Sequence, residues 1–325
     1  MNVQATGIVR RSYPIPTTIS AEAQAALAQG HAFGDAVEPD ANDIPAWEAH
    51  VARVEAMMTE MLKGRFGGED TFTVADHRLA HTTLYEVTPR AATGTGHAVF
   101  YVHGGGFTAG GGIAAAYAAM SVAGLANLRT YAVDYRMPPY HRFPAGLDDA
   151  VEAYRWVLER HDPARLAVYG PSAGGGLAAS FLLKARDLGM PMPAACVLHS
   201  PEADLTEAGD SFETNADADG VLKRLTQSIA LYADGHDLRD PYLSPVFGDF
   251  TKGFPPTILT SGTRDLFLSN TVLMHRALLR AGVEAELHIW EAMGHTGFLG
   301  AAPEDREVME QQVRFVRRHL GLSEA

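Results

Sequence analysis

From His97 to the C-terminus, short apolar runs alternate with longer segments of helical periodicity. The runs predict six strands: Ala98–Val102, Tyr131–Tyr135, Leu166–Tyr169, Ala195–His199, Thr257–Thr260 and Glu286–Trp290. Continuous apolar strands between helices are typical of a mostly parallel sheet with helices on both faces, so we predict an α/β protein. Ligands of such sheets bind beyond the carboxyl ends of the strands, which directs attention to the residues that follow each strand.

Two segments do not follow this alternation. Residues 1–65 precede the predicted sheet, and apolar side chains recur there at helical spacing, namely Trp47, Val51, Val54, Met58 and Met61. A second helical pattern interrupts the sheet at about 205–235. We predict N-terminal cap helices in residues 1–65 and a core of residues 66–325 that carries a cap insertion at about 205–235. The alternative is that both segments pack at the edge of the sheet.

Composition excludes several classes of protein. Hydrophobic residues make up 46% of the 325, enough for a large core. The formal net charge of −13 argues against nucleic acid or an anionic membrane as the main partner. The single cysteine, Cys196, excludes an intrachain disulfide and a cysteine-rich metal site, and we predict no metal. Because Met1 to Ile19 lack an apolar signal core and no apolar segment resembles a spanning helix, we expect a cytoplasmic protein.

The segment Gly170-Pro171-Ser172-Ala173-Gly174 follows a predicted strand and precedes a helical stretch. This is the context of the G-x-S-x-G turn, in which a sharp strand-to-helix bend holds a serine hydroxyl over the sheet. Ser172 is therefore the predicted nucleophile.

A glycine-rich loop follows an earlier strand, with the sequence His103-Gly104-Gly105-Gly106-Phe107. Only glycine lets backbone amides crowd around a substrate oxygen without interference from side chains. We predict that the amides of Gly105, Gly106 and Ala173 form an oxyanion hole. Phe107 and Phe298 are predicted to contact the substrate, and His103 is predicted to support the loop.

An acid and a histidine follow two later strands in the order that the serine turn requires. Asp265 comes after the strand Thr257–Thr260, and His295 comes after the strand Glu286–Trp290. His295 is the predicted general base, and Asp265 is predicted to orient its imidazole. Glu291 is a rival acid, but it lies only four residues before the histidine.

Together these motifs resemble the hormone-sensitive-lipase-like family of α/β-hydrolases, the bacterial carboxylesterases. The resemblance covers residues from about 70 to 320 and includes the stretches Asp134-Tyr135-Arg136 and Asp240-Pro241-Tyr242-Leu243-Ser244-Pro245. It implies an eight-stranded sheet, a helical cap and hydrolysis of short- to medium-chain carboxylic esters without a cofactor. Within the family the chain is most similar to monoterpene ε-lactone hydrolases, which makes a lactone the alternative substrate. Relatives pair through the edge strand, here Glu286–Trp290, which implies a possible homodimer.

Three positions depart from the family pattern. Pro171 replaces the aspartate before the nucleophile, Thr296 replaces a glycine after the histidine, and Glu202 replaces a tryptophan. The glutamate is expected to place a charge near the pocket.

Two interpretations that assign the chain a different kind of function are also open. A dinucleotide site at Gly104 is disfavoured, because Asp134 lies 30 residues further on where the fingerprint expects about 20. A non-catalytic small-molecule-binding protein on the same fold is the second alternative, but the retained His295 favours catalysis.

Overall fold

A computed structural model describes residues 13–30, 37–68, 70–92 and 96–323. Eight strands form one sheet: β1 Phe72–Arg78, β2 Thr83–Pro89, β3 Ala98–Val102, β4 Arg129–Asp134, β5 Leu166–Pro171, β6 Ala195–His199, β7 Thr257–Gly262 and β8 Ala285–Trp290. Their order is β1-β2-β4-β3-β5-β6-β7-β8. Only β2 runs antiparallel to its neighbours, and the other pairs are parallel. The predicted α/β-hydrolase architecture is confirmed.

Helices cover both faces of this sheet. The helices are α1 Ala21–Ala28, α2 Ile44–Phe66, α3 Ile113–Ala126, α4 Ala145–Leu158, α5 Ala173–Asp187, α6 Ser211–Thr214, α7 Thr226–Ala233, α8 Leu268–Arg280 and α9 Pro303–His319. One core packs α4, α5 and α8 against the sheet, and a second core packs α3 and α9 against the opposite face. No helix among the described residues is long and apolar enough to cross a membrane.

The strand order brings two motif-bearing loops together. Strands β3 and β5 are parallel neighbours in which Ala98 pairs with Leu166. Their carboxyl ends therefore leave the sheet side by side, so that the glycine-rich loop lies next to the serine turn. Strands β7 and β8 are also parallel neighbours, with Gly262 opposite Trp290, and they deliver the acid loop and the histidine loop at the same edge.

Four helices lie outside the strand–helix alternation, namely α1, α2, α6 and α7. The longest, α2, is preceded by Asp43, whose side chain accepts a hydrogen bond from the amide of Ala46 and so caps the helix. Trp47 is its one fully buried residue. Three members of its apolar stripe, Val54, Met58 and Met61, line a cavity, which makes this helix a wall of the site described below.

Candidate active site

Ser172 occupies the bend between β5 and α5 in a strained backbone conformation, with φ 56° and ψ −131°. The flanking glycines are required by close approach of the main chain. A Cβ on Gly170 would lie 2.3 Å from the oxygen of Gly174, and a Cβ on Gly174 would lie 2.2 Å from the oxygen of Val102. The bend therefore follows directly from these glycines, and it holds the serine at the start of a helix, where the peptide dipoles give a positive potential.

The structure brings the serine, the histidine and the aspartate predicted from the sequence into one hydrogen-bonded chain. His295 Nε2 lies 2.8 Å from Ser172 Oγ, and His295 Nδ1 lies 3.1 Å from Asp265 Oδ1. All three side chains are buried, with Asp265 fully so. The three residues are far apart in sequence but follow β5, β7 and β8, whose carboxyl ends lie at the same edge of the sheet.

Asp265 sits in a set of hydrogen-bond donors that favour its ionised form. The hydroxyl of Ser261 donates to Oδ2 at 2.6 Å, and the amide of Phe267 donates to Oδ1 at 2.9 Å. Burial alone raises the pKa of Asp265, but the hydrogen bonds from His295, Ser261 and Ser200 outweigh it and hold that pKa below its usual value. A carboxylate is an acceptor only, so it fixes the imidazole proton on Nδ1 and leaves Nε2 to accept from the serine.

The glycine-rich loop packs directly over the serine turn. A Cβ on Gly104 would lie 2.9 Å from the oxygen of Pro171, and one on Gly105 would lie 2.0 Å from the oxygen of Ala109. Gly105 and Gly106 adopt positive φ values of 123° and 59°, which favour glycine. Both line the cavity beside Ser172, while Ala173 is the first residue of α5.

His103 supports this loop from behind. Its ring stacks on that of Tyr135, with a centroid separation of 4.1 Å, and its Nδ1 donates to the oxygen of Gly104 at 2.8 Å. Burial lowers the pKa of His103, which keeps the ring neutral.

A cavity of about 1000 Å³ opens above Ser172 and His295. Its walls are mostly apolar and come from α2, from the insertion between β6 and β7 and from α9; they include Val54, Met58, Leu62, Leu222, Leu225, Val308 and Met309. Flexible methionine side chains adapt to ligands of irregular shape, which suits a site that takes an apolar group.

Neither aromatic residue predicted to contact the substrate lies on the wall of this cavity. Phe107 is 1% exposed and stacks on Tyr232 at a centroid separation of 4.2 Å, inside the core. Phe298 is 4% exposed and packs with Ile19 and Ala302. Both rings are instead buried among apolar side chains, which removes nearly all of their surface from water.

Glu202 also lies away from the cavity wall, contrary to the expected charge near the pocket. It is 1% exposed, and burial raises its pKa well above the usual range, which favours the uncharged form of the side chain.

Several polar residues around Ser172, Asp265 and His295 were not predicted. Ser200 and Ser261 donate to Asp265, and His199 Nδ1 lies 2.8 Å from Thr260 Oγ1. Asp219 accepts hydrogen bonds from the main chain of both the acid loop and the histidine loop. Ser200 and Ser261 follow or end predicted strands, which was a usable signal, whereas Asp219 lies in the insertion and carries no local motif.

Comparison with known proteins agrees with this geometry. The family model of the α/β-hydrolase fold matches residues 99–299, and the chain belongs to that family. An acetyl-hydrolase of Streptomyces hygroscopicus is 34% identical over 248 residues, which cover 75% of this chain and 82% of the relative. Carboxylesterase NlhH of Mycobacterium tuberculosis is 33% identical over 236 residues, covering 68% of this chain and 73% of the relative.

Solved structures place the chain more narrowly. The crystal structure of an esterase named E25 has a TM-score of 0.85 and 30% identity, and the match covers 95% of this chain and 97% of that one. An esterase from the bacterial hormone-sensitive lipase family has a TM-score of 0.80 and 28% identity, over 93% and 99% of the two chains. Within the α/β-hydrolases this protein is thus a carboxylic ester hydrolase of the hormone-sensitive-lipase-like group.

Proposed function

We propose that the protein is a serine carboxylesterase that hydrolyses short- to medium-chain esters through an acyl-enzyme. One observation carries the proposal: a single imidazole, that of His295, lies within hydrogen-bond distance of both Ser172 Oγ and the Asp265 carboxylate. This is the arrangement that a serine nucleophile needs for activation by an oriented base.

In the first half-reaction, Ser172 Oγ forms a bond to the ester carbonyl carbon while its proton passes to His295 Nε2. The amides of Gly105, Gly106 and Ala173 stabilise the resulting oxyanion. The carbonyl re-forms, the bond to the alkoxy oxygen breaks, and the alcohol leaves with the proton from Nε2.

In the second half-reaction, water takes the place of the alcohol. It gives a proton to His295 Nε2 and attacks the acyl carbon, and Ser172 leaves with that proton. The products are the carboxylic acid and the free enzyme. Asp265 stays ionised throughout and stabilises the imidazolium that forms in each half.

The cavity supports the proposed range of substrates. Its volume of about 1000 Å³ and mostly apolar walls suit acyl chains longer than acetyl. Residues 37–66 and the insertion at about 205–235 supply much of the wall, and we propose that these segments act as a cap over a hydrolase core.

The decisive experiment measures hydrolysis of p-nitrophenyl butyrate by wild type and by Ser172→Ala. We expect the variant to fold normally and to lose essentially all turnover, with no burst of p-nitrophenol. Retained turnover would mean that another group is the nucleophile, and saturable binding without turnover by the wild type would indicate a ligand-binding protein. A panel from acetyl to decanoyl esters, together with several lactones, then defines the acyl preference.

A further inference from the structure

The insertion between β6 and β7 contains three polar side chains at intervals of four residues: Ser211, Asn215 and Asp219. Each of them is buried. In a helix and the turn that continues it, this spacing places side chains on one face. Here that face meets the acid loop.

The first two side chains hold the main chain around Asp265. Ser211 Oγ donates to the oxygen of Leu266 at 2.6 Å. Asn215 Nδ2 donates to the oxygens of Asp265 and Thr263, at 2.8 and 3.2 Å. The catalytic acid is thereby fixed through its own backbone.

The third side chain, Asp219, joins the two loops. Its Oδ2 accepts from the amide of Leu266 at 2.8 Å and from the amide of His295 at 3.2 Å, and its Oδ1 lies 3.3 Å from the same His295 nitrogen. Asp219 is fully buried, so these contacts lie away from bulk solvent. One carboxyl group therefore ties the residue after the acid to the histidine itself.

The same carboxyl group also organises the cavity wall. Its Oδ1 accepts from the amides of Val221 and Leu222, at 2.9 and 3.1 Å. Both residues line the cavity, as do the residues that follow them up to Ser228. Four amides from three separate segments thus meet on one side chain.

From these contacts we infer that Asp219 is a positioning residue, which sets the distance between Asp265 and His295 and couples that distance to the cap insertion. The inference rests on the proposed function, since it concerns the alignment of that acid–base pair. Asp219 itself touches no reacting atom. Asparagine cannot replace it, because an amide has one acceptor oxygen and its NH₂ would face a main-chain N–H.

The test compares Asp219→Asn with wild type on p-nitrophenyl butyrate. We expect kcat to fall about 10- to 100-fold, the usual cost of a small misplacement of catalytic groups. The downfield proton resonance of the His295–Asp265 hydrogen bond should shift or broaden in the variant. Val316→Ala, a buried change in α9 far from these loops, is the control for lost stability and should keep its kcat and the resonance.

The outcomes separate this inference from the proposed function. If Ser172→Ala abolishes turnover while Asp219→Asn keeps kcat and the resonance, only the inference is overturned. If Ser172→Ala keeps turnover, the proposed function fails first. Asp219→Ser is a second variant in case the asparagine form does not fold. Loss of the folded state in both would assign the residue to stability alone and overturn the inference.

Discussion

Glu202 is a buried carboxyl group for which the described residues offer no hydrogen-bond partner to either oxygen. Burial, with added repulsion from Glu207 and Glu38, raises its pKa well above the ordinary 4.5. At pH values above 4.5 the folded protein therefore holds a proton here more tightly than the unfolded chain does. The stability that this site contributes is present below pH 4.5 and is lost as the pH rises.

We accordingly predict that Glu202→Gln stabilises the protein above pH 4.5. The neutral amide has the shape of the protonated acid and never ionises. The gain should grow by about 1 kcal/mol per pH unit above 4.5 until Glu202 ionises in the folded protein, because ionisation of the unfolded chain is what destabilises the wild type. Urea unfolding at pH 4.5 and pH 8 measures it, with Glu60→Gln on the exposed side of α2 as the control. An equal effect of Glu202→Gln at both pH values would contradict the assignment.

His199 should change the pH dependence of stability in the opposite direction to Glu202. Burial, reinforced by the nearby His295, lowers its pKa to about 4 from the ordinary 6.5. The unfolded chain then binds a proton that the folded protein does not, so stability falls as the pH drops from about 6.5 to about 4. Across this range the unfolding free energy of His199→Asn should vary with pH less than that of the wild type, by about 3 kcal/mol. The exposed His81→Asn is the control, and an identical slope in wild type and His199→Asn would disprove the prediction.

At the residue scale, the sequence predicted those site residues that directly follow a strand. Asp265 and His295 each follow a strand, and Ser172 carries its own motif, so all three could be placed before any coordinates. Asp219 could not be found this way, because its partners are main-chain amides from distant segments. Phe107 was misplaced for a related reason: whether a ring beside a site faces the cavity or the core depends on packing that spacing does not encode.

At the scale of elements, the parallel strands were the easiest to predict, because burial on both faces makes them continuously apolar. Their ends were less clear. Strand β5 extends to Pro171 and β7 to Gly262, two residues beyond the predicted limits in each case. The added residues Gly170 and Pro171 pair with β6, and Ser261 and Gly262 pair with β8. Glycine, proline and serine are uncommon in strands, so local propensity did not predict these positions. Pairing in the sheet overrides local propensity there.

Helix α2 provides a test of acyl-chain selection. Met58 lines the cavity, and its terminal methyl would lie 3.4 Å from a Cβ on Gly110, three residues after the glycine-rich loop. Met58→Trp should fill part of the cavity. We predict that it lowers kcat/KM for decanoyl esters at least about 10-fold, because the space for more than one methylene group of the acyl chain is lost. Hydrolysis of acetyl esters should be nearly unaffected. Kinetics with p-nitrophenyl esters of increasing acyl length measure the change.

The matched control puts the same bulky side chain on the outer face of α2. Glu60 is exposed and does not line the cavity, so Glu60→Trp should keep the acyl preference of the wild type. A parallel loss for all acyl lengths in Met58→Trp would indicate a general distortion of the site and would count against this helix as the selecting wall.

At the scale of the whole molecule, the N-terminal segment joins parts of the site that the sheet does not connect. Ser20 donates to Glu304 through both its amide and its hydroxyl, at 2.7 Å each, which docks α1 on the start of α9. Ile19 packs with Met293, two residues before His295 in the sequence. Further along, the carboxylate of Glu38 accepts from the amides of Gln227 and Ser228, at 3.1 and 3.2 Å, in the insertion. One segment therefore braces both the histidine loop and the cavity wall.

Deleting residues 1–40 removes both of these contacts but leaves α2 and its capping residue Asp43 in place. We expect a lower melting temperature and a shift of acyl preference towards short chains, because a loosened wall no longer holds an extended chain over Ser172. Ser20→Ala is the control: it removes a helix cap and a bond to Glu304, so about 1 kcal/mol of stability, without changing the cavity. If the deletion left kcat/KM unchanged from acetyl to decanoyl esters, the segment would be a structural brace with no part in covering the site.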